Sequence, residues 1–385
     1  MGIKMSIKKE IIVIGDTEMG GGTLTDDFIS DKALSEFILK LSNQEHAVDL
    51  ILNGDTFDFL KCPYIENNIS SYPRHVTSEI SLAKLRLIYT AHEKVFAALK
   101  IFAAKNQNRV YFIVGNHDPD LVHKEVQIGL RSILGSEHNI FFPFYYRNHG
   151  VYAEHGHQYD FLNKVNLKYL FLNYKGKPIL NIPWVSFGVI SKFLPLKEEF
   201  PFSERVVPRP ALFSHNKSVI KALNIRGVEY LLKSFVYYPI RYFYDPTYTL
   251  PRQLLKEFYR RFKAADWDID EIVDNFKKKR KKFLSRNKVY VLGHIHKKHI
   301  EEKSNSVIIH SDTWRDEYFL DAKTRELIPK SKKYVQVLVL DDNSIKWDLI
   351  TYPVQRKTFH FDDIIRDEKL HLQLAAAEEG FNFKI

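Results

Sequence analysis

A chain of 385 residues with 45% hydrophobic and 14% aromatic side chains has enough apolar surface for a large core. Cys62 is its only cysteine, which excludes an intramolecular disulfide and any multi-thiolate zinc site. The formal charge of +10 favours anionic partners, whether phosphorylated substrates, nucleic acid or a lipid surface, without choosing among them.

The first ten residues are too polar for a signal-peptide core, and no run of about 18 apolar residues occurs, so a cytoplasmic chain without a spanning helix is expected. Ile11 to Ile14 reads as a buried strand opening into Gly15-Asp16-Thr17-Glu18, where Asp16 and Glu18 share one face. A helix follows over Asp31 to Leu41. The strand Asp49 to Asn53 opens into Gly54-Asp55-Thr56-Phe57-Asp58. Residues 61–77 read as a loop and Ser78 to Ala104 as one long amphipathic helix. The strand Val110 to Val114 ends in Gly115-Asn116-His117-Asp118. Ile140 to Tyr146 and Gly150 to Ala153 suggest a hairpin whose second strand ends in His155-Gly156-His157.

From 161 to 285 the composition shifts toward Phe, Tyr, Lys and Arg, with helices expected over Phe161–Tyr174, Gly227–Tyr244, Leu250–Lys263 and Asp270–Leu284. Ile182–Leu196 is nearly all apolar, Phe235–Tyr248 is crowded with aromatics, and Lys277–Lys282 is a basic run. The segment reads as an inserted, mainly helical cap. Lys288 to Leu292 is again a strand, ending in Gly293-His294-Ile295-His296, and two histidines spaced by one point the same way from extended backbone. Val307 to Ile309 leads to Ser311-Asp312-Thr313-Trp314, and Tyr334–Leu340 with Ser344–Tyr352 form a hairpin. A polar, partly helical tail occupies 354–385. The core is thus expected over 1–160 and 286–353.

Carboxylate, amide and imidazole groups at successive strand ends suit two divalent ions of the Mn, Fe, Zn or Mg type. Such a pair can clamp a phosphoryl group and activate a water for in-line attack.

GDTE, GDTFD, GNHD, HGH and GHIH in this order resemble the motif series of the calcineurin-like metallophosphoesterase superfamily, and the resemblance covers residues 11–160 and 288 to about 352. It implies an α/β fold, a four-layer αββα sandwich with a dinuclear site at the strand ends. By position it implies Asp16, Asp55 and His296 at the first metal. Asp55, Asn116, His155 and His294 would hold the second, with Asp55 bridging. His117 would be the proton donor, oriented by Asp118 or Asp58, and His157 would stand behind the ligands. The SDTW turn is similar to the family's stretch with glycine at position 312. The departure is Glu18, where the family has histidine. Glutamate is a competent ligand that favours Mn or Mg, or else leaves the first site empty; on sequence alone Glu18→His is expected to retain or raise activity.

The placement of the insertion is most similar to UDP-2,3-diacylglucosamine hydrolases. This implies a lipid-linked or nucleotide pyrophosphate or phosphodiester as substrate and an anionic membrane surface as partner. The alternatives are a nuclease, supported only by charge, and a scaffold protein weakened at Glu18.

Overall fold

The computed structural model describes residues 6–250, 256–257, 260, 269–303 and 305–384. The strand Ile7–Ile14 is apolar on both faces along its second half, and it lies at the centre of a six-stranded sheet. Across that sheet the order is Ile345–Tyr352, Lys332–Leu340, Ile7–Ile14, Ala47–Leu52, Arg109–Phe112, Ile140–Phe141. The four strands from Ile7–Ile14 to Ile140–Phe141 run parallel, so their C-terminal ends emerge on one edge. A second sheet of five strands holds Val151–Glu154, Val289–Leu292 and Ser306–Ser311 parallel at its centre, with antiparallel strands at both edges.

The alternation of side chains along each strand divides the core into layers. Ile12, Ile14, Leu50, Leu52 and Phe112 face a helical layer that supplies Leu34, Phe37, Ile38, Phe96 and Leu99. Ile11, Val13 and Ile51 face the other way, onto Val151, Ala153, Val289, Val291 and Ile309 of the second sheet. The outer face of that sheet, with Tyr152, Tyr290 and Ile308, is covered by Ile272, Val273 and Phe276 of the helix Ile269–Lys279. The result is the αββα sandwich.

Several local expectations change. The run from Ile140 to Tyr146 is divided between the two sheets, with Ile140–Phe141 in the first and Tyr146–Asn148 in the second; Pro143, which has no amide hydrogen to give a ladder, lies between them. Phe161–Tyr174 is not a helix: Phe171–Tyr174 pairs with Lys177–Leu180 across Lys175 and Gly176, whose φ values of 51° and 80° are those of a tight hairpin turn. A smaller hairpin, Tyr64–Glu66 with Ile69–Ser71, interrupts the 61–77 loop over left-handed Asn67 and Asn68. The expected helix over Gly227–Tyr244 begins earlier and ends sooner, at Lys217–Arg241, where Asn216 accepts a capping bond from the Val219 amide at 3.2 Å. The expected Leu250–Lys263 helix lies largely outside the described residues.

The tail is part of the fold. Its helices Phe361–Arg366 and Glu368–Glu378 bury Phe361, Ile364, Leu372 and Ala375 against Ile29, Phe202, Val206 and Tyr318, so they join the insertion to the core.

The long helix expected over Ser78–Ala104 is two, Ser78–Ala91 and Glu93–Ala103, hinged at His92. Fully buried, the His92 ring lies with Nδ1 2.7 Å from Asp31 and Nε2 3.1 Å from Asp26. Burial opposes its charge, but the two carboxylates outweigh burial and lift its pKa from 6.5 to about 10. The raised value means that the charged pair stabilises the fold fully below about pH 6.5 and that this contribution is lost as pH rises through about 10. Replacing His92 by alanine leaves two buried carboxylates without their cation and is expected to cost about 3–5 kcal/mol. Urea unfolding of the two proteins at pH 6.5 and at pH 10 is expected to give a gap that narrows at the higher pH.

Candidate active site

Six segments end on the same edge, and their first polar residues meet there. Asp16, Glu18, Asp55, His294 and Asp312 all have positive φ, from 48° to 79°, a conformation that non-glycine residues hold only when the surrounding fold imposes it. Glycine is required beside them. A Cβ on Gly115 would lie 2.1 Å from Asp55 Oδ1, and one on Gly54 would lie 2.4 Å from the His155 ring. Asp312, at a position where the resembling family has glycine, has φ of 71°; its carboxylate is held 2.6 Å from Lys330 and 3.3 Å from Lys333.

At the second metal position, His155 Nε2 is 3.0 Å from Asp55 Oδ2 and 3.0 Å from Asn116 Oδ1. Its other nitrogen, Nδ1, donates to the Asn53 carbonyl at 3.0 Å, which fixes the ring and presents Nε2 to the pocket. Asp55, His155 and His294 each place a ligand atom within 4.8 Å of the others. His294 Nε2 is 3.1 Å from Asp160 Oδ2, so Nδ1 is the lone pair available to a cation. At the first position, His296 Nδ1 is 3.3 Å from Glu317 Oε1, while its Nε2 faces Glu18 Oε1 at 3.3 Å and Asp16 Oδ1 at 3.6 Å. All three imidazoles are thus gripped from behind by an oxygen, and His155 and His296 aim their second nitrogen at carboxylates. This is the arrangement of metal-ligating histidines, and the donor set fits divalent ions.

The electrostatics demand positive charge. Burial opposes charge on His155, yet Asp55 and Asp16 raise its pKa to about 9. Burial likewise opposes ionised Asp55, but His155 and His117 hold it below the usual carboxylate range. His117 is 17% exposed, with Nδ1 3.1 Å from Asp58 Oδ1. Burial lowers its basicity, while Asp58, Asp55 and Glu18 together raise it to about 9.

Of the two aspartates expected to orient His117, Asp58 faces the ring. The Asp118 carboxylate accepts instead from the Gly115 amide at 2.6 Å and the Thr56 amide at 2.8 Å, tying the GNHD turn to the GDTFD loop. Burial, then the charge of Asp55, push its pKa up to about 7. His157 packs its ring 5.3 Å from that of His155 and accepts from Gln158 at 2.9 Å; burial and the neighbouring His155 and His294 keep it neutral. Asp160 and Glu317, which stand behind His294 and His296, are candidate site residues that motif reading misses. Asp160 lies five residues past His155 and Glu317 three past Trp314, spacings that no strand pattern singles out. Replacing Asp160 by asparagine or Glu317 by glutamine is expected to weaken Mn binding about 10–100-fold, measured by calorimetric titration of the chelator-stripped protein.

A family model for calcineurin-like phosphoesterases matches residues 9–298. No curated protein matches the sequence significantly. Among solved structures, one from Staphylococcus aureus, provisionally named a 5′-nucleotidase and solved with alpha-ketoglutarate, shares 11% identity at a TM-score of 0.30. That comparison covers 95% of this chain, which spans 58% of the other. The match over residues 9–298 takes in the strand ends that carry Asp16, Asp55, Asn116, His155, His294 and His296: the chain belongs to the calcineurin-like phosphoesterase family.

Proposed function

We propose that the protein hydrolyses a phosphodiester or pyrophosphate bond of a lipid-linked or nucleotide substrate at an anionic membrane surface, with manganese as the favoured metal. Oxygen and imidazole donors without sulfur support that choice of ion. The chemistry that a pair of such ions supplies is polarisation of the phosphoryl group and activation of water. The protein's own part is to place and to protonate. His117, whose basicity Asp58, Asp55 and Glu18 raise, gives its proton to the leaving oxygen. Asp58 aims the ring, and the Asp118 bonds keep the turn that carries it in place.

The observation that supports a lipid-linked substrate is the outer face of Lys217–Arg241. Ile225, Val228, Leu232, Phe235, Val236 and Ile240 form one helical stripe and are exposed, Val236 by 70%, and Phe243 beyond the helix is 84% exposed. Lys221, Arg226, Lys233 and Arg241 belong to the same helix, a composition suited to anionic lipid. Among the described residues no helix is long and apolar enough to cross a membrane. The other apolar segment, 182–196, is largely internal: Ile182 and Phe187 pack with Leu60 and Val76, and Trp184 packs with Tyr230 and Tyr238. Much of the basic run 277–282 is engaged within the protein. Lys277 pairs with Glu301 at 3.1 Å, Lys279 donates to the Gln158 carbonyl and Arg280 to the Tyr159 hydroxyl. This weighs against the nuclease reading.

With added Mn, the protein is expected to hydrolyse bis-p-nitrophenyl phosphate. His117→Asn is expected to lower kcat by about 10²–10⁴-fold, and by more on a poor leaving group than on p-nitrophenolate. Co-sedimentation with phosphatidylglycerol vesicles at moderate salt tests the surface: binding that Phe235→Asp with Phe243→Asp abolishes supports it, and no binding by the unaltered protein overturns it.

A further inference from the structure

The Glu18 carboxylate has two different sides. Its Oε1 faces His296 Nε2 at 3.3 Å, beside Asp16. Its Oε2 is 2.9 Å from Lys61 Nζ and 3.5 Å from an Arg315 nitrogen. Lys61 and Arg315 are both 5% exposed, so these charges meet out of water. The lattice continues outward. Lys61 also lies 2.5 Å from Asp27 and 3.0 Å from Asp58, and Arg315 lies 3.3 Å from Asp27 and 3.1 Å from Glu204. Lys197 of the insertion pairs with Asp27 and, at 2.9 Å, with Glu204. Glu18, Asp58 and His117 also place ligand atoms within 4.8 Å of one another, but the cation between the two carboxylates is the Lys61 ammonium itself.

We propose that Glu18 and Lys61 act as one unit in place of a neutral first-site ligand: Glu18 turns Oε1 to the first metal, and Lys61, with Arg315, cancels the charge on Oε2. This rests on the metal-dependent phosphoesterase reading. A glutamate adds a negative charge to a pocket that already holds Asp16 and Asp55. A buried ammonium on its far oxygen removes that surplus and fixes the carboxylate as a one-oxygen ligand. Lys61 and Arg315 are positioning residues, acting on the metal only through Glu18. On this proposal the expectation from sequence that histidine at 18 is tolerated is reversed: an imidazole there would remove the negative charge that Lys61 and Arg315 face on the metal side, leaving them only Asp27, Asp58 and Glu204.

The test is calorimetric titration of MnCl2 into the chelator-stripped full-length chain, with metal content checked by elemental analysis. The unaltered protein is expected to bind two ions. Glu18→His and Lys61→Met alone are each expected to weaken the first-site ion about 10–100-fold, while the double variant Glu18→His/Lys61→Met regains much of that loss because the charge is balanced again. Lys61→Arg, which keeps the charge, is expected to keep both ions. Asp27 retains Lys197 and Arg315 in the Lys61 variants, and melting in EDTA identifies any variant that fails to fold; Glu18→Gln, nearly isosteric, then serves in its place and is expected to lose the first ion. Two tight ions in Glu18→His, or singles and double variant that lose affinity additively, would overturn the proposal. An unaltered protein that binds no Mn at all would instead sink the phosphoesterase reading beneath it.

Discussion

Like charges crowded out of water are the constraint on which this structure depends. Asp16, Glu18 and Asp55 are almost fully buried at neighbouring strand ends. Their mutual repulsion in a pocket of low polarisability is tolerable only with positive charge between them. The chain supplies part of that charge itself through Lys61 and Arg315 and leaves the remainder to bound ions. The backs of the histidines are tied to Asn53, Asp160 and Glu317, which fixes the orientation of the rings. This division between resident and borrowed charge explains why the site contains so many groups that touch no substrate.

Backbone geometry is the means by which the groups are brought together. A parallel strand delivers one residue at its tip, and a residue in the left-handed region turns the next side chain back over the sheet. Asp16, Asp55 and His294 are all set this way. Gly54 and Gly115 then leave space in which the ligand atoms meet. The strain at these tips is sustained by packing below, where Ile11, Val13 and Ile51 are locked between the sheets.

The residues legible in the sequence were those whose position relative to a strand carries meaning. Asp16, Asp55, Asn116, His155, His294 and His296 each follow an apolar run, and the same runs define the two sheets. Lys61, Asp160, Arg315 and Glu317 follow no such pattern; they matter because tertiary folding brings them behind residues far away in the chain. The helix break at His92 was hidden for the same reason, since its carboxylate partners lie more than a helix away in sequence. The hairpin at 171–180 was hidden by a different one: its aromatic content suits either periodicity, and the Lys-Gly turn decides the matter locally. The tail resembles a polar appendage in sequence because its apolar residues are few, yet those few fill a cluster that the core and the insertion leave open.

The central strand Ile7–Ile14 is flanked on one side by Ala47–Leu52 and on the other by Lys332–Leu340. During synthesis the first neighbour leaves the ribosome early, but the second emerges long after the opening strand. Until it docks, one edge of this strand, apolar along its second half, has its amides and carbonyls unpaired. Loop closure over so great a separation makes this pairing slow. The nascent chain therefore carries an open edge through most of its translation, until the last hairpin arrives.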